Sequence, residues 1–210
     1  MTPARPLHRT FSFLAALAFA FATGSALAAN PEVELDTTEG AIKLELYPDA
    51  APKTVENFLR YVKDGHYDGT QFHRVIDGFM IQGGAYTADF NPRPTRPPVV
   101  NEAETSSKAG LHNVPGTIAM ARTSDPNSAT DQFFINVAEN KPLDFRSRDA
   151  AGIGYTVFGK VVSGMDVVNK IAKAPKGGRK PPPGGPPIDP RSLPTEPVYI
   201  TSAKVIEAAK

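Results

Sequence analysis

Short apolar runs that alternate with polar residues, broken every few positions by Gly or Pro, confine this 210-residue chain to a mainly β fold. Val33 to Asp36 and Ile42 to Leu46 alternate across Glu39-Gly40, the pattern of an opening hairpin. Gln71 to Ile76, Phe79 to Gln82, Thr117 to Ala121, Gln132 to Val137, Tyr155 to Val162 and Val198 to Ile206 read as further strands. Two segments carry the helical period instead. Pro52 to Lys63 places Val55, Phe58, Leu59 and Val62 on one face, with Pro52 suited to the first turn and Gly65 to the stop. Met165 to Lys173 gathers Val167, Val168 and Ile171 in the same way. Many short strands with two helices, in a length that suits one domain, point to a barrel or sandwich capped at its ends.

The ends and the composition narrow the setting. Arg5, His8 and Arg9 precede the uncharged stretch Phe11 to Ala22, and Ala26-Leu27-Ala28 supplies a small-residue cleavage pattern. Residues 1–28 therefore read as a cleavable secretory signal, the mature domain as 29–210, and the location as periplasmic or secreted. The apolar stretch falls short of the ~20 residues needed to span a bilayer, so no membrane association is expected after cleavage. With no cysteine, the chain has no disulfide, thiol nucleophile or Cys-ligated metal. Without the leader, 21 basic residues face 22 acidic ones, and no run of Lys or Arg exceeds two residues. Nucleic acid is thus an unsuited partner, and a neutral single domain is expected to be a monomer. Pro175 to Pro197 holds nine prolines and four glycines in 23 residues, which excludes a helix interior or a ladder. It reads as a mobile surface excursion, partly polyproline II, or else as bait for a proline-binding module. If mobile, it also offers Lys180-Pro181 and Asp189-Pro190 to the chain's own site.

Most catalytic signatures are absent. His66, His73 and His112 have no metal-ligand spacing, and there is no nucleophile elbow, phosphate loop or dinucleotide fingerprint. What stands out is FHRVIDGFMIQGG, residues 72–84. On a period of two, Met80 and Gln82 share a face, with Arg74 on the preceding strand and Phe79 following Asp77-Gly78. An arginine and an amide beside large apolar side chains describe a site that grips something apolar and offers donors to its backbone. Gln132 to Val137, preceded by the loop Met120 to Ser128, forms a second such cluster.

These two motifs, FHRVIDGFMIQGG and MARTSDPNSATDQFFI, resemble the cyclophilin peptidyl-prolyl cis-trans isomerases, as do PKTVENF in the first helix and GYTVFGKVVSGMDVV near the end. The resemblance runs from about Val33 to Ile206 and is nearest to exported bacterial members, which share the ending PVYITSAKV. It implies a cyclophilin-like eight-stranded antiparallel β-barrel capped by two α-helices, with the site in a groove on the outer face. It makes Arg74 the catalytic residue, and Phe79, Met80, Phe134 and Leu143 the proline pocket. Gln82 becomes the polar partner of the peptide backbone and of the arginine. Ala121 and Arg122 become the pair whose backbone meets the peptide, with Arg122 where the family often has Asn. Gln132 lies along the groove and Tyr155 borders the pocket. Pro142 stands where cyclosporin-sensitive members have Trp, so drug binding is expected to be weak and peptide binding reduced.

The implied substrates are proline-containing peptides and unfolded exported proteins, with neither metal nor cofactor. The implied reaction is X-Pro isomerisation in support of folding. A chaperone module that holds peptide in the same groove with weak catalysis is the alternative, and an intact Arg74, Gln82 and Phe134 favours the enzyme.

Overall fold

The computed structural model describes residues 29–206; the expected leader 1–28 and residues 207–210 lie outside the described residues. Strands β1 (Glu32–Thr37) and β2 (Gly40–Leu46) form the expected hairpin, paired from Glu32↔Glu45 to Thr37↔Gly40. Helix α1 (Pro52–Lys63) follows, then β3 (Arg74–Ile76) and β4 (Met80–Gly83). Helix α2 (Ala103–Lys108), β5 (Thr117–Met120), β6 (Phe133–Asn136), β7 (Val157–Ser163), α3 (Met165–Ala172) and β8 (Ile200–Ile206) complete the order. All eight strands join one antiparallel sheet in the order β3-β4-β6-β5-β7-β2-β1-β8.

The sheet curls until its two edges meet. Gln71 pairs with Tyr199, and the backbone N–H of Phe72 donates to Val198 at 2.8 Å, just upstream of the edge strands β3 and β8. Gln71 to Phe72, expected as the start of a long strand, therefore serves as the seam of the barrel and not as part of β3. Period-two alternation fills the interior: Val33, Leu35, Ile42, Leu44, Val75, Ile81, Ile118 and Ile135 are all buried in one cluster. Helix α1 closes one end by its apolar stripe. Its Phe58 ring lies 5.2 Å from Tyr67, 5.7 Å from Phe133 and 5.2 Å from Phe158, tilted or edge-on as aromatic quadrupoles prefer. Helix α3 adds Val168 and Ile171, both fully buried.

Against the expectation of two capping helices, the described residues form three. Helix α2 (AETSSK) has no apolar stripe and buries only Ala103 and Ser106, so periodicity could not reveal it. Its entry residue has a structural task elsewhere. Helix α1 has Ala51 at its N-cap and hence no capping side chain of its own. The Glu102 carboxylate takes that place from 48 residues away, accepting from the Thr54 N–H at 2.8 Å, the Thr54 hydroxyl at 2.7 Å and the Lys53 N–H at 3.2 Å. A carboxylate there also complements the positive end of the helix dipole.

The proline-rich segment leaves the sheet as expected, but it is tied down at many points. Lys176 pairs with Pro194, the Gly177 N–H donates to Leu193 at 3.0 Å, and Leu193 is fully buried. Arg179 donates to Ala88 O at 2.9 Å and stacks on Phe90 at 5.0 Å, and Pro190–Ser192 form a 3₁₀ turn capped by Asp189. No helix among the described residues is long and apolar enough to cross a membrane.

Because Glu102 satisfies two otherwise unpaired helix donors inside the protein, Glu102→Ala should destabilise the fold by about 2–3 kcal/mol. Urea unfolding of the two proteins, compared at one pH, measures this.

Candidate active site

The register across the sheet sets the site. Residues directly paired on neighbouring strands share a face. Arg74↔Gln82↔Phe134↔Ala119↔Val157 make one such row across β3, β4, β6, β5 and β7. The row beside it, Val75↔Ile81↔Ile135↔Ile118, points into the barrel. The first row therefore lies on the outer face, where Met80, Ala119, Phe134 and Val157 form a second apolar cluster joined by Phe79, Leu143 and Tyr155.

A cavity of about 180 Å³ opens over this cluster, lined by Arg74, Phe79, Met80, Gln82, Ala121, Arg122, Phe134, Leu143 and Tyr155. Nine of the ten residues expected at the site thus surround one space. The tenth, Gln132, does not line it but accepts from Gln82 Nε2 at 2.9 Å and so fixes that amide. With Nε2 so engaged, Gln82 Oε1 faces Arg74 Nη1 at 3.4 Å. Arg74 also donates to Met80 Sδ at 3.9 Å and lies 5.9 Å from the Phe79 ring centroid. Its contacts are long, so most of its five N–H donors are unengaged by protein. Arg122 is the opposite case. Its Nε donates to Gly154 O at 3.1 Å, its Nη1 to Thr123 O at 2.9 Å, and its guanidinium stacks on Tyr155 at 4.4 Å. Tyr155 in turn meets Phe134 edge-on at 5.8 Å, making the far wall of the cavity. Pro142 is exposed on the 3₁₀ turn Lys141–Leu143, and only Leu143 of that turn borders the cavity.

Local backbone chemistry aims these side chains. Gly78 takes φ +68°, the left-handed conformation that lets a three-residue hairpin loop turn Phe79 back over the sheet. Gly84, at φ +101°, follows β4 where a Cβ would lie 2.9 Å from Asp131 O.

An amide network, which the sequence reading did not single out, holds the walls. Asn140 Nδ2 donates to Phe79 O at 2.9 Å and to Asn136 Oδ1 at 2.7 Å, and Asn136 Nδ2 donates to Thr117 Oγ1 at 2.9 Å. Asn113 donates from its backbone and side-chain nitrogens to Asp144 Oδ1 at 2.7 and 2.9 Å. The loop bearing Leu143 is thereby locked to the turn bearing Phe79. The only sequence signal was the outward, polar place of Asn136 among apolar strand residues.

His73 is buried but leaves Nδ1 without a hydrogen-bond partner. Burial lowers its pKa to about 4, so the ring is neutral at pH 7.

A closed antiparallel barrel that carries an apolar cavity with an under-engaged guanidinium on its outer face defines a groove that can seat a small apolar ring and its flanking amides. Comparison with known proteins specifies the class. The family model described as "Cyclophilin type peptidyl-prolyl cis-trans isomerase/CLD" matches residues 32–205. Peptidyl-prolyl cis-trans isomerase cyp18 of Streptomyces antibioticus is 50% identical over 174 residues, spanning 83% of this chain and 98% of that protein. Peptidyl-prolyl cis-trans isomerase A of Dickeya dadantii is 46% identical over 188 residues, 90% of this chain and 91% of that one. The crystal structure of a cyclophilin type isomerase of Cryptosporidium parvum, in the presence of the dipeptide Ala-Pro, superposes with a TM-score of 0.64. It is 24% identical and covers 84% of this chain and 99% of its own. The chain belongs to the cyclophilin-type peptidyl-prolyl cis-trans isomerases, and its activity is the isomerisation of X-Pro bonds.

His73 generates a pH dependence of stability. Its folded-state value lies below the unfolded value of about 6.5, so the unfolded chain binds the extra proton preferentially. Stability is therefore full above about pH 6.5 and falls as pH drops towards 4, by on the order of 3 kcal/mol. The urea midpoint followed between pH 7 and pH 4.5 should decline more steeply in the wild type than in His73→Gln.

Proposed function

We propose that Arg74 is the catalytic residue of the isomerase and that Phe79, Met80, Phe134 and Leu143 hold the substrate proline. The observation that carries this reading is the guanidinium at the rim of the apolar cavity, steadied by Gln82 but with donors to spare. The barrier to X-Pro rotation is amide resonance, about 18–20 kcal/mol. No bond is broken, so catalysis needs only preferential binding of the twisted amide. As the amide twists, the prolyl nitrogen becomes pyramidal and regains its lone pair. A guanidinium N–H directed at that nitrogen is bonded only in the transition state and stabilises it over both ground states. The apolar walls fix the pyrrolidine ring. Gln82, positioned by Gln132, and the backbone at Ala121 and Arg122 hold the flanking chain, so that one end of the peptide turns against the other. Tyr155 closes the wall and Arg122, tied to Gly154 and Thr123, supports it. An Ala-Pro dipeptide accompanied the Cryptosporidium parvum relative, in keeping with proline-containing peptides as ligands.

The wider setting belongs to the same proposal. The sequence pattern of residues 1–28 supports export to the periplasm or beyond, where the protein, acting as a monomer, assists the folding of unfolded exported polypeptides. The exposed Pro142 supplies no aromatic wall, which supports weak cyclosporin binding.

Two measurements test this. In NMR exchange of an Ala-Xaa-Pro-Phe peptide, wild-type protein should accelerate cis-trans exchange by orders of magnitude. Arg74→Ala should lose roughly 10²- to 10³-fold of that with its circular dichroism unchanged. A variant as active as the wild type would remove Arg74 from the mechanism. Intact mass of protein recovered from a periplasmic or culture fraction should correspond to a start near Ala29, and full-length protein confined to the cytoplasm would overturn export.

A further inference from the structure

The proline-rich segment does more than leave the sheet: its tip returns to the catalytic face. A second cavity, about 260 Å³, lies against the first and shares Arg74 and Gln82 with it. Its remaining lining is His73, Tyr86, Gln132, Pro187, Ile188, Asp189 and Ser192, so one wall consists of the excursion itself. Several independent features mark it as a built site. His73 is 4% exposed and lines the cavity, yet its Nδ1 has no hydrogen-bond partner. Tyr86 packs edge-on against the His73 ring at 5.0 Å, holding the imidazole in place. On the loop side, Asp189 accepts from the Arg191 N–H at 2.9 Å and pairs with the Arg191 guanidinium at 2.8 Å, while Ser192 Oγ donates to Asp189 O at 2.9 Å. The wall is therefore braced from within the loop, and Asp189 is already neutralised by Arg191. The apolar part of the lining is Pro187, Ile188 and the Tyr86 ring, beside the polar Asp189 and Ser192.

We propose that this cavity is a substrate subsite that takes a large apolar side chain, an aromatic by preference, from the same peptide whose proline occupies the first cavity. The inference rests on the reading of the first cavity as the proline pocket. Continuity makes the occupant specific. An extended chain advances about 3.3 Å per residue, so a peptide leaving the proline pocket across Arg74 and Gln82 reaches the second cavity within about two residues. The second cavity is larger than the first, its Asp189 is paired with Arg191, and its one under-engaged charge is the Arg74 guanidinium, which disfavours a basic side chain and can lie over the face of a ring. The excursion thus becomes the specificity element of the enzyme, a wall that selects among X-Pro sites by what flanks them.

The test is a set of X-Pro peptides in which Ala or Phe stands at each of the two positions before and the two after the proline. Exchange NMR gives kcat/KM for each with wild type, with Ile188→Ala and with Pro186–Ile188 replaced by Gly-Ser-Gly. At one position, wild type should favour Phe over Ala by about tenfold, the scale at which a hydrophobic pocket discriminates. Both variants should bring that ratio towards one, with thermal melts showing an intact fold. Equal rates for Phe and Ala at all four positions would overturn the subsite, and so would a preference that both variants retain. If wild type accelerated none of the peptides, the failure would lie with the proline-pocket reading itself.

Discussion

The groove depends on the period-two alternation of β4 and β6. Ile81 and Ile135 point into the barrel and are fully buried, while their chain neighbours Gln82 and Phe134 point outward into the groove. Core packing and site geometry are therefore two faces of the same strands. A one-residue slip in pairing would put an amide into the core and an isoleucine into the groove, so hydrophobic burial of the inner row fixes the outer row as well. At about 25 cal/mol per Å² of apolar surface, the inner residues hold the register far more strongly than any contact among the site residues could. The site is precise because its scaffold cannot slide.

This coupling explains what was legible in the sequence. Strands with strong alternation, and α1 with its stripe, are readable because the burial that forms them is written as periodicity. The pairing Gln82↔Phe134 brings two distant motifs together, and no pattern within either motif announces it; resemblance to a family with both motifs did. The shortened β3 and helix α2 were illegible for the opposite reason. Gln71 is a strand residue by pattern, but its partner is Tyr199 at the seam, and which edges meet is decided by the curl of the whole sheet. Helix α2 owes its existence to tertiary anchorage, with the Glu102 N–H donating to Thr156 Oγ1 at 2.9 Å. The proline-rich segment reads as a mobile surface excursion, partly polyproline II, because its composition forbids ladders and helices. Composition could not show that Arg179 and the buried Leu193 pin it against the barrel.

Polar side chains do the work at long range that strands do locally. Glu102 caps a helix 48 residues earlier, and Asn140 and Asn136 tie the Phe79 carbonyl to the Leu143 turn. These groups are buried and mutually satisfied, which makes them stabilising only as complete sets, since any one lost leaves its partners unpaired in a low dielectric. Their effect is to convert two loops into walls. Loop walls held this way keep their spacing without the rigidity of a ladder, as a pocket for a single pyrrolidine ring requires.

Two guanidiniums line the groove and a third, Arg191, pairs with the loop carboxylate beside it, and their engagement differs in a way that bears on the chemistry. Arg122 is tied to two carbonyls and an aromatic face, and Arg191 to the Asp189 carboxylate. Arg74 has only a 3.4 Å contact to an amide oxygen and a 3.9 Å contact to sulfur. The proposed catalysis makes opposing demands on such a group. It must be held near the proline nitrogen, yet its donors must remain free until the amide twists. A strong ion pair would meet the first demand and defeat the second, because breaking it would consume the stabilisation offered to the transition state. Anchoring by one neutral amide, itself fixed by Gln132, meets both. The loop carboxylate Asp189 is held chiefly by Arg191 and forms no ion pair with Arg74, although the Arg74 charge also helps to lower its pKa. The arrangement of unequal partners leaves one cation poised, and it is the one whose strand position faces the apolar pocket.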